Sequence, residues 1–155
     1  MLIFAGIVAL ATAALSLLQE VSIMGLSFRN FNVYNMARMI YDALTSRGAA
    51  PNIPDAVFLF TVIVLLAALI AVLSCLRMLL KKEAFSGFAL SAILCIGLCI
   101  YANYQLKRSM PSINGVTLNL YDGLILKELI IWGAGYIIAA VLAFMGRRAK
   151  KQNED

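Results

Sequence analysis

The chain has 155 residues, 63% of them hydrophobic and 14% charged, with a mean hydropathy of +0.89. A soluble domain seldom passes about half apolar residues, so this composition points to an integral membrane protein. Histidine is absent, which removes the commonest general base and transition-metal ligand, and the +5 net charge flanks apolar segments instead of forming a nucleic-acid-binding stripe.

The first apolar run, residues 1–18, carries no side-chain charge and is just long enough to read as a membrane span, which needs about 20 mostly apolar residues. Ala11-Thr12-Ala13 resembles a small-residue signal cleavage site, but no Lys or Arg precedes the run, so it reads as an uncleaved helix.

The first outer loop, 19–56, opens with Glu20 and then SIMGLS, Ser22 to Ser27, where Gly25 marks a bulge or turn. Arg29-Asn30, between Phe28 and Phe31, is a second candidate for a hairpin turn. From Val33 to Thr45, Val33, Met36, Ala37, Ile40 and Leu44 recur at helical spacing, which predicts an amphipathic helix of about three turns. Gly48 stops it, and Pro51 and Pro54 precede the next span. This helix either packs on the protein or the membrane surface, or presents Tyr34, Met36, Met39 and Tyr41 to a partner.

Residues 57–80 form the second span, with Arg77 near its end where the side chain can snorkel. After the short KKEAFSG connection, residues 85–104 form the third. The second outer loop, 105–123, holds Asn114-Gly115 between Ile113 and Val116, a strong hairpin signal because both turn positions need positive φ. Residues 124–145 form the fourth span, and 146–155 a basic tail.

Two features tie these elements together. SIMGLS is answered by SINGVT (Ser112 to Thr117), and FNVYN (Phe31 to Asn35) by LNLYD (Leu118 to Asp122), each beside an apolar segment. Matched residues recurring in order indicate an internal repeat. The expected fold is therefore an all-α transmembrane four-helix bundle of two parallel helix–loop–helix repeats, with the outer hairpins paired into a small extracellular β-sheet and one short helix in the first loop. The alternative is two separate loops.

Arg77, Lys81 and Lys82 crowd the short connection, and Arg147, Arg148, Lys150 and Lys151 crowd the tail, which predicts that both termini are cytoplasmic. A multi-pass protein of the plasma membrane is expected. Small residues four apart mark every span: Ala5-Ala9-Ala13, Ala67-Ala71-Cys75, Gly87-Ser91-Cys95-Cys99-Asn103 and Gly135-Ala139-Ala143. Lipid gives no hydrophobic drive for helix association, so such residues supply close packing, and the three cysteines read as packing units.

Glu128, with Trp132 and Tyr136 continuing its helical face, is the most informative polar residue. It either faces the bundle interior, with Glu20 as a second outer carboxylate, or sits at interface depth beside Lys107, Arg108 or Lys127.

The layout of short cytoplasmic N-terminus, long first outer loop, tight inner turn, shorter second outer loop and basic tail resembles the claudin and peripheral-myelin-protein group of small tetraspan proteins. It also looks like small bacterial four-helix membrane proteins. The likeness is one of layout: the first loop here contains neither Trp nor Cys, so the claudin loop signature is missing.

No nucleophile–base pair, phosphate loop or metal cluster can be assembled, so no catalytic residue, cofactor or metal is expected, nor a nucleic-acid partner. The expected function is non-enzymatic: lateral association with a second copy or a larger membrane protein, amid membrane lipids, through the outer loops. The alternative is transport or the handling of a lipid or small apolar ligand in a cleft between repeats, with Glu20, Glu128 and Trp132 at its mouth.

Overall fold

A computed structural model describes residues 1–23, 26–27, 32–45, 55–80, 82–109 and 125–152. Its elements are α1 (Leu2–Leu18), β1 (Ser22–Ile23), β2 (Leu26–Ser27), α2 (Val33–Thr45), α3 (Asp55–Leu79), α4 (Phe85–Ser109) and α5 (Ile125–Gln152).

Local chemistry accounts for the boundaries. The α1 helix ends where Gln19 turns extended, at φ −65° and ψ 131°, while its N–H still donates to Leu15 O. Asn32 caps α2: its Oδ1 accepts the Asn35 N–H at 2.8 Å, meeting one of the four amide donors that a helix start leaves open. At the other end Thr45 Oγ1 donates back to Tyr41 O at 2.8 Å. The α3 helix starts directly after Pro54, and a residue preceding proline is disfavoured in helical conformation. It closes with Leu80 N–H donating to Leu76 O and Lys82 N–H donating to Arg77 O. Ala84 O then accepts the Gly87 and Phe88 amides to open α4.

The four long helices form a closed ring in the order α1, α3, α4, α5, each packed on its two neighbours. Every adjacent pair is antiparallel. Cys75 Sγ, near the end of α3, donates to Gly6 O near the start of α1 at 3.7 Å, and Ser91 Oγ of α4 donates to Ala67 O of α3 at 2.9 Å. The Phe85 and Phe144 rings lie 5.5 Å apart, joining the start of α4 to the end of α5, and Leu2 lies beside Gly146. The beginnings of α1 and α4 and the ends of α3 and α5 thus share one end of the bundle. Moving two places round the ring relates α1 to α4 and α3 to α5, a twofold arrangement compatible with the expected parallel repeats.

Among the described residues three helices are long and apolar enough to cross a membrane: α3 over Phe58–Leu79, α4 over Phe85–Ala102 and α5 over Glu128–Ala149. The α1 helix, at 17 residues, falls short of that length. At 1.5 Å per residue it rises about 25 Å, less than the roughly 30 Å hydrocarbon core. Val21 and Val33 are buried in the same core as the long helices, Met36 is buried as well, and α2 rests on α3 and α1. The outward-facing side of each of the four long helices is apolar, with Ile7, Leu69, Ile93 and Ile138 all exposed.

The small residues pack as expected. Ala5, Ala9 and Ala13 of α1, Ala67 and Ala71 of α3, Ser91 and Cys95 of α4, and Ala139 and Ala143 of α5 are all buried. Two glycines mark the closest helix approaches: a Cβ on Gly87 would collide with Ser74, and one on Gly135 with Thr12. Phe88 is fully enclosed at the end where the surrounding core residues are mostly alanine.

The expected sheet pairing the hairpins of the two outer loops is not shown among the described residues, where the only ladder pairs Ser22 with Ser27 and Ile23 with Leu26, antiparallel. The Arg29-Asn30 turn and the Asn114-Gly115 hairpin lie outside the described residues.

Candidate functional site

Two places collect the residues that the sequence singles out: the interior of the bundle at the end opposite the termini, and the α2 helix above it.

The interior site is built on one face of α5. Glu128, Leu129, Trp132 and Tyr136 follow helical spacing and are all buried, with Glu128 at 6% exposure and Trp132 and Tyr136 at 0%. Glu128 thus faces the protein interior, while Lys107, Arg108 and Lys127, named as its alternative neighbours, have side chains outside those described. Four residues along, Trp132 Nε1 donates to Gln19 Oε1 of α1 at 3.0 Å, and its ring packs 6.4 Å from that of Phe60 of α3. Gln19 carried no signal in the sequence beyond its place at the end of an apolar run. It serves as the polar partner that an enclosed indole N–H requires.

One turn deeper, Tyr136 Oη is buried without a well-formed hydrogen bond among the described residues. The Ser16 hydroxyl, itself fully buried and donating to Ala13 O at 2.8 Å, is close enough to interact with it. Thr12 continues this polar line on α1 and donates to Val8 O at 2.8 Å. Across the core, Thr61 of α3 directs its hydroxyl to Met36 Sδ of α2 at 3.4 Å. The interior therefore carries a carboxylate, an indole, a phenol and several hydroxyls in otherwise apolar packing. Glu20 does not join them; it is exposed next to Gln19, so the two carboxylates occupy different environments.

On α2 the structure divides the four proposed contact residues. Met36 is 3% exposed and belongs to the core, so it is not available to a partner. The reason is its spacing from Val33, which places both on the face that rests on α3 and α1. Tyr34 and Tyr41 are 56% and 65% exposed. Seven residues apart, they share a face, with Arg38 and Thr45 between and beyond them at helical intervals. Met39 is also exposed but lies on the opposite flank. The exposed stripe is thus Tyr34, Arg38, Tyr41 and Thr45, a combination the apolar periodicity alone did not isolate.

Among the described residues no group of three or more His, Cys, Asp or Glu side chains is placed to hold a metal ion. All three cysteines are free thiols; Cys75 and Cys95 are buried and Cys99 is half-buried.

Comparison of the chain with family models, curated proteins and solved structures gives no match in any of the three, so the claudin resemblance rests on layout alone.

Proposed function

We propose that the chain is a non-enzymatic tetraspan protein of the plasma membrane that associates laterally, with a second copy or a larger membrane protein, through its outer end. In this reading α1 is the fourth span, assisted by the chain that follows it, and both termini face the cytoplasm. The observation that carries it is α2. A helix held on the bundle by Val33 and Met36 leaves Tyr34, Arg38 and Tyr41 in one exposed stripe. Tyrosine and arginine are enriched among residues that dominate binding energy at protein interfaces.

Replacing Tyr34 and Tyr41 together with serine tests this. Loss of a co-purifying partner, or a fall of the detergent-solubilised mass to that of one chain, is expected, with bundle stability unchanged. An unchanged mass and unchanged partner set would remove α2 as the contact surface.

The buried polar line favours a second reading, in which the interior binds or passes a small ligand, with Glu128 at the outer mouth. Intramembrane carboxylates that face a bundle interior commonly mark such paths. Glu128→Gln then alters ligand retention or flux in reconstituted vesicles. Equal retention and flux in the variant would discard this reading.

A further inference from the structure

The end of the bundle that carries the termini holds an ordered basic surface. Arg77, Lys82, Arg147 and Arg148 are exposed there against a single described carboxylate, Glu83, leaving three positive charges in excess. The short connection between α3 and α4 meets the last turns of α5 through an ion pair between Arg147 and Glu83. Arg148 is held differently: its guanidinium carbon lies 5.1 Å from the centroid of the Phe144 ring. Phe144 in turn packs against Phe85, and both rings are partly exposed, at 43% and 42%. Leu79 and Leu80 add strongly exposed apolar surface at the end of α3.

Basic residues that only set membrane orientation need to be near the membrane; they need no fixed partners. Here two adjacent guanidiniums are held by two different groups, one by a carboxylate and one by an aromatic ring. Beside them is a partly exposed aromatic pair, Phe85 and Phe144. Cations beside exposed rings complement an amphiphile with an anionic head, and arginine suits phosphate because its planar fork can donate two hydrogen bonds at once. We infer that this end binds an anionic phospholipid, with its phosphate at Arg147, Arg148 and Lys82 and its upper acyl chain along Phe85 and Phe144. The inference depends on the chain lying in a membrane and is independent of any role for α2.

Native mass spectrometry of the purified full chain, with phosphatidylglycerol and phosphatidylcholine of identical acyl chains, tests it. The unaltered protein is expected to retain phosphatidylglycerol preferentially. Each cation removed from the site should lower that retention about fivefold. Arg147→Gln with Arg148→Gln is compared with Lys150→Gln with Lys151→Gln, which removes equal charge from the same helix. Much greater loss in the arginine pair supports a site, whereas equal losses would reduce it to diffuse attraction and overturn the inference. Phe144→Leu leaves the charge intact and removes the ring beneath Arg148, so a several-fold drop is expected; unchanged retention would overturn the proposed geometry even if the arginine variants fail to fold. Displacement of the lipid by millimolar glycerol phosphate alone would show that a soluble phosphate is the ligand, contradicting the lipid assignment.

Discussion

Two glycines of α4 are in opposite surroundings, which makes Gly→Ala a direct test of the helix packing. A Cβ at Gly87 would collide with the Ser74 hydroxyl and approach Ser74 Cβ to 2.9 Å, whereas one at Gly97 meets nothing within 4 Å. Both substitutions gain helix propensity, up to about 1 kcal/mol for an interior position. Only Gly87→Ala adds an overpacking term, for which about 1–3 kcal/mol is typical. Gly97→Ala should therefore be neutral or stabilising, and Gly87→Ala should lie roughly 1–3 kcal/mol below it. Adding Ser74→Ala to Gly87→Ala removes the colliding hydroxyl and should recover part of the loss. Recovery stays incomplete because the Ser74 Cβ contact remains. The chain has one tryptophan, and Trp132 is fully buried, so its emission during denaturation in mixed micelles reports bundle opening without a label. Equal stability of the two alanine variants would refute the α3–α4 approach described above.

Other contacts give sharper local tests. Gly135→Ala should destabilise the α1–α5 crossing, with partial rescue by Thr12→Ala, since a Cβ at Gly135 meets the Thr12 side chain; micelle denaturation of the single and double variants checks it. The Trp132–Gln19 hydrogen bond should appear as a coupling of about 1 kcal/mol in a double-mutant cycle with Trp132→Phe and Gln19→Met. A coupling near zero would place the indole N–H elsewhere.

Much of this architecture was legible in the residues because lipid-facing helices leave a plain signature. The helices α3, α4 and α5 start within two residues of the expected limits, while α4 and α5 run on to Ser109 and Gln152, past the expected ends at 104 and 145, and most of the small-residue stripes are buried. The helix over Val33 to Thr45 was readable from its apolar spacing, including its start just after Asn32. Other features were not. Nothing in a run of alanine and leucine states that residues 2–18 form a helix too short to cross unaided, because that shortfall matters only against the length of its neighbours. The capping role of Asn32 was not read from the sequence, since capping depends on which side chain precedes the first helical turn. Met36 looked like part of an exposed ridge because methionine serves both cores and contact surfaces; its burial follows from where α2 docks. Glu128 was ambiguous because helical periodicity gives a residue's face but not which face the neighbours cover.

The proposed arrangement has four passes, with the beginning of α1 on the same side as the α3–α4 connection and the end of α5. Cysteine accessibility in sealed vesicles tests this most directly. In a background with Cys75, Cys95 and Cys99 replaced by alanine, single cysteines are placed in a tag ahead of Met1, at Lys82, at Arg148 and at Tyr41. A membrane-impermeant thiol reagent is then applied from one side. With four passes the tag, position 82 and position 148 react together from one side and position 41 from the other. A tag that reacts from the same side as position 41 would mean that α1 does not cross, and would contradict the four-pass arrangement.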